Sequence, residues 1–219
     1  MSSWLELLTD NFDALASGFW VTLRLVGASF AVALVVGTLV AALRIAPSRW
    51  LQRAGGVYVE TFRNLPLLVL LIIAYSGLRR AGVAIGPWTA GIASLGLYTA
   101  AYVAEVLRSG VFAVGRGQID AALSLGFDGS ETLRRIVLPQ AFRTVIAPLG
   151  SIAIAMIKNS AIVGAALAIN DILKEGRIIA SRTFETDAAF FWAAVGYLLL
   201  TVTATFAFRR LERRYAIRR

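Results

Sequence analysis

The chain has 219 residues, 58% of them hydrophobic, and a mean hydropathy of +0.72, more apolar matter than one soluble core of this size buries, so lipid is the expected solvent. It contains no Cys and no His, which removes thiolate and imidazole metal sites, thiol nucleophiles and the usual general base; no catalytic or metal-ligating residue is assigned. A net charge of +9 would suggest nucleic acid in a soluble protein, but the cations lie between apolar runs instead of forming one stripe, so no nucleic-acid partner is expected.

The opening segment, 1–18, carries Glu6, Asp10 and Asp13 and no Lys or Arg, so it lacks the basic region of a cleavable signal peptide. Trp4, Leu5, Leu7, Leu8 and Phe12 recur roughly at helical spacing and suit a short amphipathic segment on the outer surface; a frayed polar start fits equally. A helix needs about 20 mostly apolar residues to cross the hydrocarbon core. Five stretches qualify: about 19–43, 57–78, 88–106, 145–168 and 188–208. Arg24 lies close enough to one end of the first to snorkel. The second is most apolar over 65–75, beside Pro66; the third follows Pro87 and carries Glu105 at its far end. The fourth contains Pro148 and, near its middle, Lys158 and Asn159; an arginine-rich tail follows the fifth.

Five spans put the termini on opposite sides, and the cations orient them. Arg44, Arg49 and Arg53 share a side with Arg108, Arg116, Arg134, Arg135, Arg143, Arg209, Arg210, Arg213, Arg214, Arg218 and Arg219. The other side has Arg79, Arg80, Lys174, Arg177 and Arg182. The prediction is an all-α integral membrane protein with its N-terminus outside and its C-terminus inside. Arg79 and Arg80 run mildly against the rule.

The cytoplasmic connection, about 108–142, is too long for a minimal link between adjacent helices. Gln118 to Gly126 has helical composition, and the glycine can end that helix. Ser130 or Asp128 can cap a second short helix, with Glu131 in its first turn and Leu133, Ile136 and Val137 on one face. Pro139 sits where a further helix can begin, since its missing N–H is not needed in a first turn. The expectation is helix, turn, helix on the inner surface, leading into the fourth span.

This loop reads Asp120-Ala121-Ala122, three residues, Gly126, nine residues, then Ile136-Val137-Leu138-Pro139. It resembles the EAA loop of ATP-binding-cassette (ABC) importer permeases. Tyr58-Val59-Glu60, Phe62-Arg63-Asn64, Pro66-Leu67-Leu68, Ala101-Tyr102, Ala104-Glu105, Gly117-Gln118 and Leu138-Pro139-Gln140-Ala141 extend the likeness to the polar-amino-acid branch, which takes up histidine, glutamine, glutamate or arginine. The resemblance covers most of the chain and implies a single transmembrane permease domain over 1–219, in the bacterial cytoplasmic (inner) membrane.

It further implies that Asp120, Ala121, Ala122, Ser124, Leu125, Gly126 and Phe127 dock on a cytoplasmic ATPase that itself binds ATP and Mg, so that this chain needs no cofactor and hydrolyses nothing. A second permease subunit, an extracytoplasmic solute-binding protein and membrane lipid complete the implied partners. Asp120 replaces the family's usual Glu, keeping the charge with a shorter reach. Asn159-Ser160-Ala161-Ile162 departs from the family's Thr-Ser-Leu after the lysine, which weakens inherited claims about substrate contacts there.

A charged side chain at a helix centre costs about 3 kcal/mol on insertion scales, so Lys158 requires a reason. Its ammonium either faces a polar pathway, where it holds a substrate carboxylate, or pairs with a buried carboxylate such as Glu60 or Glu105. Asn159 and Ser160 are weaker pathway candidates. Glu60 and Arg63, like Glu105 and Arg108, are spaced to pair on one helical face, and Asn64 and Pro66 interrupt the second span where freed backbone groups can line a path. The leading expectation is an ABC importer permease for a polar amino acid, glutamate or glutamine slightly favoured. The alternative is a self-sufficient secondary transporter or channel, which needs coupling-ion sites and commonly shows inverted repeats; neither is visible.

Overall fold

A computed structural model describes residues 2–215, and all regular structure among them is helical. We number nine helices: α1 (Ser2–Asp10), α2 (Phe12–Ile45), α3 (Arg49–Asn64), α4 (Leu67–Arg80), α5 (Pro87–Phe112), α6 (Arg116–Ser124), α7 (Gly129–Leu167), α8 (Ile172–Thr183) and α9 (Thr186–Tyr215). Four of them, α2, α5, α7 and α9, are each long and apolar enough to cross a membrane. Each starts before the apolar stretch that marks it in the sequence, and all but α7 run past its end.

The second span, expected over 57–78 with an interruption at Asn64 and Pro66, is broken there. Pro66 has no N–H and drives Leu65 into an extended conformation (φ −87°, ψ 135°), so the chain turns by 102° between α3 and α4. The bent pair nevertheless crosses the bundle. Contacts between α2 and α5 advance together along both chains, from Ser29 at Gly96, through Gly37 at Ala100 and Val103, to Arg44 at Glu105. The two helices are therefore parallel, and 49–80 must carry the chain back to the other end. α7 then runs antiparallel to α5 and α9 antiparallel to α7, as Gly91 against Val163, Gly110 against Val145 and Gly150 against Phe208 show. Five passages leave the described termini at opposite ends of the bundle.

Small residues make this packing possible. A Cβ on Gly37 would lie 2.7 Å from Val103 Cβ, and one on Gly96 would lie 2.8 Å from Val32 Cγ1, so backbones approach as only glycine allows. Leu25, Leu71, Leu95, Val103, Met156 and Val163 fill the core around that seam. At one end α1 and the start of α2 lie against α8 and α9: Leu7 and Leu15 bury against Ile179, Ala188 and Ala189, and the Trp192 indole N–H donates to the Trp4 carbonyl at 2.9 Å.

The opposite end holds α6, the start of α7 and the arginine-rich end of α9; Arg218 and Arg219 lie outside the described residues. The expected break before the fourth span is absent. From Gly129 the helix continues without interruption into α7, and a π turn at Leu133–Val137 precedes Pro139. The wider turn loosens the hydrogen-bond ladder where the proline ring would otherwise clash with the preceding turn.

Replacing Gly37 by Leu should lower the thermal unfolding midpoint of the purified protein, since overpacking of this kind costs about 1–3 kcal/mol. Gly27→Ala, with open space around the site, should stay within about 0.5 kcal/mol of the parent. Equal midpoints for G37L and the parent would contradict the close α2–α5 approach.

Candidate functional site

The connection between α5 and α7 forms a hairpin whose turn is fixed by a cap on each side of it. α6 closes in a Schellman motif: the Gly126 N–H donates to the Leu123 carbonyl at 3.0 Å and the Phe127 N–H to the Ala122 carbonyl at 3.1 Å. Gly126 sits at φ +86°, a left-handed conformation in which a side chain is strained. Two residues later Asp128 starts the next helix. Its carboxylate accepts the Glu131 N–H at 2.8 Å while the Glu131 side chain accepts the Asp128 N–H at 3.4 Å, completing a capping box. Asp128, not Ser130, is the cap. The Glu131 carboxylate also pairs with Arg135 at 3.4 Å, and that guanidinium lies 5.7 Å from the centre of the Phe127 ring.

One face of α6 is held and the other is free. Ala122 is buried and Ile119 packs against Val114, Val137 and Ala141, while Asp120, Ala121 and Ser124 face outward. Leu123 and Leu125 add apolar surface, Leu125 being 81% exposed. The Ser124 hydroxyl donates to the Asp120 carbonyl at 2.9 Å, tightening the helix.

The residues singled out within the spans do not gather into one site. Glu60, Arg63 and Asn64 are exposed at the end of α3, which packs on α2 and α5, and the Arg63 guanidinium lies 5.4 Å from the Tyr102 ring centre. Lys158 instead lines a cleft of about 380 Å³ with Ala161, Leu173, Phe190, Ala193, Ala194 and Tyr197. Glu60 is not among the residues lining that cleft. Asn159 is half-buried, and Ser160 is fully buried with its hydroxyl donating to the Ile157 carbonyl at 2.7 Å.

Among the described residues Lys158 has no carboxylate in ion-pair range, so neither expected structural partner serves it. Glu105 is taken by Arg44 and by Arg108, the latter at 3.1 Å, while the Glu60–Arg63 pair does not form. Arg44 as a partner was invisible in the sequence, because the contact depends on α2 and α5 running side by side.

A further polar cluster was also missed. Asp171 is fully buried as the cap of α8: its carboxylate accepts the Lys174 N–H at 3.0 Å and the Tyr197 hydroxyl at 2.6 Å. Burial pushes this carboxyl above the ordinary aspartate range, and those hydrogen bonds oppose the shift. Thr22 accepts the Ile172 N–H at 3.2 Å, and Gly164 leaves the carboxylate its room, since a Cβ there would lie 2.3 Å from it. α2, α7, α8 and α9 meet at this point. The available signal was an Asp preceding a short helical run.

Over residues 33–217 the chain matches the family described as binding-protein-dependent transport system inner membrane component. It is 36% identical over 209 residues to the probable glutamine ABC transporter permease protein GlnM of Bacillus subtilis (strain 168), covering 95% of this chain and 96% of that one. It is 34% identical over 230 residues to the glutamate transport system permease protein GluC of Corynebacterium efficiens, covering 97% and 99%. The crystal structure of an amino acid ABC transporter with histidines contains a chain 31% identical to this one, superposing with a TM-score of 0.89 over 94% of this chain and 96% of that. The inward-facing MetNI methionine ABC transporter, at 22% identity and a TM-score of 0.77 over 94% and 98%, shares the fold. The chain thus belongs to the family of binding-protein-dependent transport system inner membrane components: it is a permease subunit of an ABC importer in the bacterial inner membrane.

Proposed function

We propose that this permease imports a polar amino acid, with glutamate or glutamine favoured, and that a cytoplasmic ATPase drives it by gripping the hairpin between α5 and α7. The observation that carries the reading is that hairpin: a short helix closed by a Schellman motif and followed at once by the capped start of α7, anchored by Ile119 and Ala122, with Asp120, Ala121, Ser124 and Leu125 presented outward. Such a helix transmits force because it cannot fray or rotate independently of α7. ATP and Mg reside in the ATPase; this chain supplies the handle and the path. Two copies of the chain, or this chain with a related permease, form the channel, and an external binding protein delivers the solute.

The distribution of charge supports the orientation. Arg44, Arg49, Arg53, Arg108, Arg116, Arg134, Arg135 and Arg143 share the hairpin's end of the bundle with Arg209, Arg210, Arg213 and Arg214, and the positive-inside rule puts that end in the cytoplasm. Glutamine and glutamate permeases among the relatives support the substrate class. Membership of the family sets aside the self-sufficient secondary transporter. Lys158, exposed and without a carboxylate partner among the described residues, is the cation that meets a substrate carboxylate.

Gly126→Val should cut both ATPase association and uptake at least about ten-fold, because a β-branched residue resists the left-handed conformation by ~1–2 kcal/mol or more and reorients the end of α6. Abundance should be unchanged and the thermal midpoint should fall by no more than this local cost, a few degrees; normal association and uptake would contradict docking at this helix. Lys158→Met should raise the KM for uptake several-fold without loss of assembly. Unchanged KM and flux would remove Lys158 from the path.

A further inference from the structure

At the elbow between α2 and α3, Arg44, Arg49, Arg53 and Arg108 line a cleft of about 500 Å³ together with Gln52 and Phe112. Arg44 and Arg108 share the single carboxylate of Glu105, and among the described residues Arg49 and Arg53 have no carboxylate in ion-pair range. Four guanidiniums against one carboxylate leave three positive charges converging on one opening. Glu60 and Arg63 also act on Arg44, but with opposite signs. Like charges gathered on one opening repel, and among the described residues no further carboxylate lies in ion-pair range to offset the excess. The chemistry that does so is an anion with several acceptor oxygens, to which guanidinium forks bind bidentately.

The surroundings indicate what carries that anion. Trp50, 77% exposed, lies beneath the Arg53 guanidinium at 5.5 Å, and Phe112, 65% exposed, lies beneath that of Arg108 at 5.5 Å. An exposed tryptophan at a helix end marks the level at which hydrocarbon gives way to headgroups. The cleft therefore combines excess positive charge with apolar rims at a helix end, and it is roomier than one inorganic phosphate requires. We propose that this cleft binds the phosphate headgroup of an anionic phospholipid, its acyl chains lying along the exposed apolar surface beside it. Basic pockets between spans hold acidic headgroups in this manner. The site depends on the charge of the cleft and not on docking of an ATPase at α6, so the two proposals fail separately.

The test uses the purified transporter complex in detergent, titrated with dioleoyl phosphatidylglycerol, with dioleoyl phosphatidylcholine and with inorganic phosphate, bound lipid being read by native mass spectrometry. The complex should retain phosphatidylglycerol at least ~10-fold more tightly than phosphatidylcholine, and Arg49→Gln/Arg53→Gln should weaken the former about 30-fold while leaving the latter unchanged. These two residues are exposed and outside the core, and gel filtration of the variant confirms its assembly. Arg177→Gln/Arg182→Gln, at the far end of the bundle, should have no effect. Equal retention of both lipids, or full phosphatidylglycerol affinity in the R49Q/R53Q complex, would overturn the proposal. So would displacement of the lipid by millimolar phosphate, which would identify a site for a soluble anion.

Discussion

The parallel seam between α2 and α5 is the constraint from which most of the structure follows. Helices in lipid gain little by hiding apolar surface from one another, so their association depends on close packing and on polar links. Here both occur along one line: Gly37 and Gly96 admit Val103 and Val32, and Arg44 closes the far end on Glu105. Because two sequential long helices lie parallel, the intervening segment has to return across the bundle. Pro66 lets it do so with a bend, and the count of five passages is fixed by that return.

That count has consequences at both ends. It places α6 and the start of α7 beside the ends of α2 and α9, where the arginines collect, and it places α1 and α8 at the opposite face. The two ends are also built differently. At the α8 end, the buried Asp171 carboxylate links α8 to α9 through Tyr197, the Ile172 N–H links α8 to α2 through Thr22, and Gly164 lets α7 pack against the same point. At the α6 end the local geometry is secured by backbone caps and a short ion pair, leaving an outward surface with no packing duty. A rigid, outward-facing surface suits the proposed grip of a partner, and the basic cleft beside Arg49 gives the same end a separate means of holding to the membrane.

Much of this was legible in the sequence. Long apolar runs identified the crossings, because lipid forces backbone polar groups into helices and leaves composition as the signal. Gly126 and Asp128 were readable as stop and start, since their roles are set by local backbone chemistry. What resisted reading depends on contacts between distant residues. Arg44 meets Glu105 only through the seam; Asp171 becomes buried only when Tyr197 packs over it; and Lys158 lines a cleft with Leu173 and Tyr197 that Glu60 does not share. Pro139 misled for a local reason: a π turn absorbs the proline and lets α7 run on.

The central claim is that the hairpin and the α8–α9 turn lie on opposite faces of the membrane, with the hairpin in the cytoplasm. The parent has no cysteine, so single reporters can be placed without background. Ser130→Cys and Glu185→Cys, each reacted with a membrane-impermeant maleimide in spheroplasts and in inside-out vesicles, give the direct answer. The account predicts labelling of Glu185→Cys in spheroplasts alone and of Ser130→Cys in inside-out vesicles alone. Labelling of both from the same side, or of Ser130→Cys from outside, would contradict it.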